Sequence, residues 1–219
     1  ILKKYFILFI VIIACFSCNN SQRKTNDNLV FRYNEHKNIG SLDPAFSKDI
    51  ADIWGTNQLF NGLVQMDDHL NVIPCISKSW NISEDALTYT FTLRNDVYFH
   101  KDALFGKDST RVVNAQDFEY SLNRLLDKQL ASPGSWVLSK VNKYEAINDS
   151  TFQIQLNQPF PAFLGLLTMK YCSVVPKEIV TYYGNDFRSH PIGTGPFIFK
   201  RWEENIKLVL RKNELYFEK

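Results

Sequence analysis

The sequence predicts a mixed α/β (α+β) domain, and three observations carry that prediction. Leu87-Thr88-Tyr89-Thr90-Phe91-Thr92-Leu93 alternates strictly, the period of two that sets one face of a strand on a core. From Asn114 onward, Phe118, Leu122, Leu125 and Leu126 recur at helical spacing on one stripe. Strand-like and helix-like segments then follow one another through the 219 residues, of which 45% are hydrophobic, the balance of a chain that buries a core. The 25 basic against 23 acidic residues, a net charge of +2, exclude a strongly basic nucleic-acid binder, so no nucleic-acid partner is expected.

The first residues stand apart. Residues 1–17, ILKKYFILFIVIIACFS, join Lys3 and Lys4 to an uncharged apolar run. That run is shorter than the ~20 residues a spanning helix requires and reads as a bacterial export signal. Its end, Ile12-Ile13-Ala14-Cys15-Phe16-Ser17-Cys18, resembles the lipobox of bacterial lipoproteins, in which a cysteine after a small residue receives a diacylglyceryl thioether. Two cysteines compete for that role. Cys15 follows the apolar, apolar, small pattern, whereas Cys18 sits at the sharper polar boundary; the signal ends at residue 14 in the first case and 17 in the second. Residues 18–28 contain almost no apolar side chain and suit a flexible tether. The lipobox implies lipid anchoring at the periplasmic side of the bacterial cell envelope.

Order is expected from Leu29. Leu29-Val30-Phe31-Arg32-Tyr33 has strand character, and Gly40-Ser41-Leu42-Asp43-Pro44 is a turn whose proline disfavours helix at Asp43. Helical spacing over residues 49–60 sets Ile50, Ile53, Trp54, Asn57, Leu59 and Phe60 near one face. A hairpin is predicted from residues 63–66 and 70–73, and a second strand pair from residues 77–81 and 87–93. Asn114 is the predicted cap of the next helix. A hairpin over residues 144–147 and 152–156, short helices over 161–168 and 177–183, and strands at 195–200 and 206–210 complete the chain. Cys75 and Cys172 lie in apolar surroundings and read as small core residues, with a disulfide between them the alternative.

Catalytic motifs are missing. There is no Gly-x-Ser-x-Gly elbow, no His-Glu-x-x-His and no phosphate-binding glycine loop with a following lysine. His36, His69, His100 and His190 are scattered singly, the pattern of solvated residues rather than zinc ligands, with His100 kept in view as a ligand contact. Gly193-Thr194-Gly195-Pro196 reads as a plain turn. Neither catalytic residues, metal nor cofactor is expected.

Several segments, in order, resemble one family, the dipeptide-, oligopeptide- and nickel-binding solute-binding proteins of ABC importers. Ser41-Leu42-Asp43-Pro44 is similar to its "LDP" turn, Phe60-Asn61-Gly62-Leu63-Val64 to "YEGLV" and Pro74-Cys75-Ile76-Ser77-Lys78-Ser79-Trp80 to "PALAESW". Residues 87–100, LTYTFTLRNDVYFH, follow the signature strand "LTYTFKLRDGVKFH". Asn114 to Arg124 resembles "TAEDVVYSLNR", Pro191 to Phe197 matches "PIGTGPF", and Asn213 to Phe217 stands where the family has "NPDYW". Lys101-Asp102 replaces the usual Asp-Gly, and Phe105-Gly106-Lys107-Asp108 reads as an insertion.

The resemblance implies a type II periplasmic-binding-protein fold of two lobes, of which residues 29–219 form the N-terminal part. It implies a monomer that captures a small solute, most readily a peptide, and hands it to ABC permease and ATPase subunits. By the same analogy Ala45, Phe46, Ser47, Asp49, Phe60 and Asn61 lie toward the ligand cleft. An envelope lipoprotein that reuses the fold as an enzyme or scaffold, or a binder of a nickel complex or oligosaccharide, stays open as the alternative.

Overall fold

The computed structural model describes residues 29–218, so Cys15, Cys18 and the expected signal and tether lie outside the described residues. The chain divides into two units, Ile1–His36 and Lys37–Lys219. In the first, residues 30–33 form no strand, contrary to the sequence expectation. Leu29, Phe31 and Tyr33 are exposed; apolar character alone does not make a strand.

In the second unit a 3₁₀ turn, Pro44–Phe46, leads to helix α1, Ile50–Leu59. Strands β1, Val64–Met66, and β2, Val72–Pro74, form a hairpin; β3, Ser77–Ile82, and β4, Thr88–Leu93, follow. Helix α2, Ala115–Leu126, precedes β5, Val141–Asn148, and β6, Thr151–Leu156. A single turn, α3 (Phe163–Leu166), and a short helix, α4 (Lys177–Tyr183), lead to the ribbon of β7, Phe197–Glu203, and β8, Lys207–Lys212.

β3 to β6 make a four-stranded antiparallel sheet in the order β3-β4-β6-β5. In β4 the alternation settles the faces as the sequence predicts: Tyr89, Phe91 and Leu93 are buried, and the threonines between them are half-buried. Phe91 stands opposite Trp80 on one side and Phe152 on the other. α2 covers the buried face, with Phe118 against Phe152 at 5.9 Å. Its start is a capping box, in which Asn114 accepts from the Asp117 N–H and the Asp117 carboxylate accepts from the Asn114 N–H. Leu126, placed on the buried stripe by spacing, is 50% exposed because the helix ends there and the chain turns away at Asp127.

A second cluster gathers Leu42, Leu59, Phe60, Val175, Ile179 and Phe187, with Phe199 and Leu208 of the ribbon against it. α1 faces it differently from the sequence expectation. Ile50 and Trp54 are exposed, while Ala51, Asp52, Gly55, Thr56 and Leu59 are buried. The reason is close approach: a Cβ on Gly55 would lie 2.9 Å from the Leu42 side chain, so small residues must face inward. The buried polar groups on this face are satisfied. Asp52 accepts from the N–H groups of Gly40 and Ser41 at 2.7 and 3.3 Å, and the Thr56 and Ser47 hydroxyls share a hydrogen bond of 2.9 Å.

The segment that reads as an insertion, residues 105–108, has its own anchor. Phe105 stacks on Phe99 at 5.9 Å, and the Arg111 guanidinium lies 4.9 Å from the Phe99 ring. That guanidinium also binds Asp117 in a fork of two 2.7 Å hydrogen bonds and reaches Glu178, so it ties the loop to α2 and α4.

Candidate functional site

The C-terminal end of α1 is where distant segments converge. Its last carbonyls need partners outside the helix. The Gly195 N–H supplies one, donating to the Leu59 carbonyl at 2.9 Å. The approach requires glycine: a Cβ on Gly193 would collide with the Leu59 carbonyl, and one on Gly195 would lie 2.5 Å from that of Gln58. The Gly193–Pro196 segment is therefore a tight structural clasp and not only a turn.

His100, 2% exposed, holds that clasp from the other side. Its Nδ1 accepts from the Gly193 N–H at 3.4 Å, and its Nε2 lies 3.0 Å from the Gly195 carbonyl. One nitrogen accepts and the other faces an acceptor, which defines the neutral Nε2–H tautomer. Burial agrees, pushing the His100 pKa down to about 4. His100 is thus a buried positioning group and not the solvated residue that its isolated place in the sequence suggests.

In front of the clasp lies a pocket of about 340 Å³. Asn57 and Gln58 come from the end of α1, Gln65 from β1, Lys170 from the turn after α3, and Tyr216 from the segment after β8. Asn61 sits among them, with its Nδ2 donating to the Tyr216 hydroxyl at 3.2 Å and its Oδ1 accepting from Thr194 at 3.0 Å. Gln65 and Tyr216 both donate to the Glu218 carboxylate, at 2.6 and 3.0 Å. Burial raises the Tyr216 pKa, so the phenol stays protonated and able to donate. Among the described residues no three His, Cys, Asp or Glu side chains gather to hold a metal ion.

Of the six residues expected at a ligand cleft, Asn61 is the one that lines this pocket. Ala45 is 3% exposed in the main core, and Phe60 is fully buried edge-on to Phe187 at 6.3 Å, so packing occupies both side chains. Ser47 is buried on Thr56, and Phe46 is half-buried against the main core. Asp49 pairs with Lys37 at 2.9 Å, and that hydrogen bond holds its carboxyl below the usual carboxylate range. Lys170 and Tyr216 were missed as site residues. Tyr216 stands in the "NPDYW"-like motif, but nothing local says it meets Asn61, 155 residues earlier. Cys75 and Cys172 are free, buried thiols with pKa pushed up to about 12 by burial, so the core reading holds and no disulfide joins them.

Comparison with known proteins places this architecture among the type II periplasmic binding proteins. Residues 71–219 match the family described as bacterial extracellular solute-binding proteins, family 5, Middle, and the chain belongs to that family. It is similar to the glutathione-binding protein GsiB of Salmonella typhimurium, 27% identical over 181 residues that cover 83% of this chain and 34% of the relative. Among solved structures it resembles the periplasmic binding protein DppA of Helicobacter pylori in complex with the peptide STSA. That likeness has a TM-score of 0.73 and 32% identity, over 81% of this chain and 38% of the other. The substrate-binding domain of an oligopeptide ABC transporter from Bacillus anthracis matches with a TM-score of 0.78 and 25% identity, over 86% of this chain and 38% of that one. The chain spans about a third of the length of the curated relatives it matches.

Proposed function

We propose that this chain is the N-terminal part of the substrate-binding component of an ABC importer, not an enzyme. It captures a small solute, a peptide by preference, and delivers it to permease and ATPase subunits. The observation that carries this reading is the likeness to DppA in complex with a peptide, which covers 81% of the chain. Capture by closure of two lobes suits such a site, because closing exchanges the water around a ligand for backbone hydrogen bonds and side-chain walls. Lipid attachment at Cys15 or Cys18, through the lipobox-like boundary, would hold the monomer at the periplasmic side of the membrane.

The test is thermal unfolding of the full-length protein with a mixture of di- to pentapeptides, with glutathione and with nickel–histidine. A ligand at about a hundredfold its Kd stabilises the folded state by about 2.7 kcal/mol. A melting shift with the peptides supports the assignment. A shift with nickel–histidine alone moves the ligand class, and no shift with any of them overturns the reading.

A further inference from the structure

The pocket at the end of α1 is lined by one ammonium, that of Lys170, which has no paired carboxylate among the described residues. Lys170 is half-buried at the first position of the 3₁₀ turn Lys170–Cys172 and lines the pocket. Elsewhere in the fold Arg124 is paired with Asp43, and Arg111 with Asp117 and Glu178. Lys170 makes no ion pair and no side-chain hydrogen bond among the described residues. Glu218, the carboxylate bordering the pocket, is committed to Gln65 and Tyr216. The remaining polar walls are neutral, from Asn57, Gln58, Asn61 and Thr168.

A half-buried ammonium without a counterion bears part of the cost of desolvation, and that desolvation holds the Lys170 pKa below the ordinary lysine value. Neutral amides do not remove that cost, but an anion entering the pocket does. Asn57 and Gln58 line the same pocket and bring amide N–H groups that can donate to a carboxylate oxygen. The volume is at the lower end of the range for small-molecule sites, about 300–1,000 Å³.

We propose that Lys170 is the anion-recognising group of this pocket and takes a carboxylate of the bound solute. The assignment rests on the reading of the chain as a solute-binding protein and adds a charge requirement to it: the solute is anionic at the end that enters here.

Two arms on the full-length protein separate this assignment from that reading. In the first, lysines are reductively methylated with ¹³C-formaldehyde and a borohydride reductant, and the Lys170 signal is identified by its loss in Lys170→Arg. Acetate is then titrated against acetamide, its neutral counterpart of the same shape. The expected result is a saturating shift of the Lys170 signal with acetate and none with acetamide. A linear drift shared with the exposed lysines overturns the assignment, as it would if a carboxylate of the protein itself already occupied Lys170.

In the second arm, trialanine and trialanine amide are bound to the wild type and to Lys170→Met. The expectation is a loss of about thirtyfold or more for trialanine and less than about twofold for the amide. Equal losses, or none, overturn the assignment to a solute carboxylate while leaving peptide binding intact. Absence of any peptide binding in the wild type overturns the peptide reading instead, and the acetate titration then decides Lys170 alone.

Discussion

The carboxylate of Asp43 receives two hydrogen bonds from the guanidinium of Arg124, at 3.1 and 2.6 Å, across 81 residues of sequence. Both side chains are at most 10% exposed. Asp43 also accepts from the Ala45 N–H at 3.0 Å, so one carboxylate shapes the 3₁₀ turn and joins it to α2. Arg124 in turn lies 5.6 Å from the ring of Phe187 in the second cluster. Removing one partner of a buried pair strands the other, at a cost of about 3–5 kcal/mol. Asp43→Asn should therefore lower the urea midpoint of the full-length protein far more than Asp96→Asn, whose pair with Arg94 is solvent-exposed. Comparable shifts for the two variants would mean that the Asp43–Arg124 pair is not a structural link.

His100 gives the fold a pH dependence with a definite sign. The unfolded imidazole titrates near its model value of 6.5 and the folded one near 4, so the unfolded chain binds more protons between those values. The stability due to neutral His100 is complete above about pH 6.5, falls as the pH drops toward 4 and levels off below. The loss is at most about 3 kcal/mol. His100→Gln keeps an acceptor for Gly193 and a donor for Gly195 but does not titrate. Denaturation midpoints between pH 7.5 and 4 should fall more steeply for the wild type, and parallel curves would exclude His100 as the source.

The register of β4 predicts unequal costs at adjacent positions. Phe91 is fully buried, and Phe91→Ala should cost about 3–5 kcal/mol. Thr90 is half-buried and accepts from Gln153 Nε2 at 3.1 Å, so Thr90→Ala should cost about 1 kcal/mol. Chemical denaturation at equal slope compares the two. Inverted midpoint shifts would contradict the observed faces of the strand.

Anchoring is tested at Cys15 and Cys18. Replacing both should abolish palmitate labelling, whereas one of the two single replacements should leave it unchanged. Labelling that survives the double replacement would remove the lipoprotein assignment.

What the sequence by itself determined is the structure that arises within a few residues. The alternation of β4, the Asn114 cap of α2 and the hairpins β1–β2 and β5–β6 were legible because strand period, capping and turn chemistry act between near neighbours. Apolar content without that support misled at residues 30–33 and on α1, where Ile50 and Trp54 were expected inside and Gly55 and Thr56 took their place. Which face of a helix is buried depends on how closely its neighbour approaches, and here the neighbour is Leu42. The pocket was decided only by tertiary structure. Asn61 meets Tyr216, His100 holds Gly195, and Lys170 lies among neutral amides through contacts between segments far apart in sequence. Local patterning carries no information on such meetings; whether a lysine is paired or unpaired is a property of the assembled surroundings, set when packing removes water from its charge.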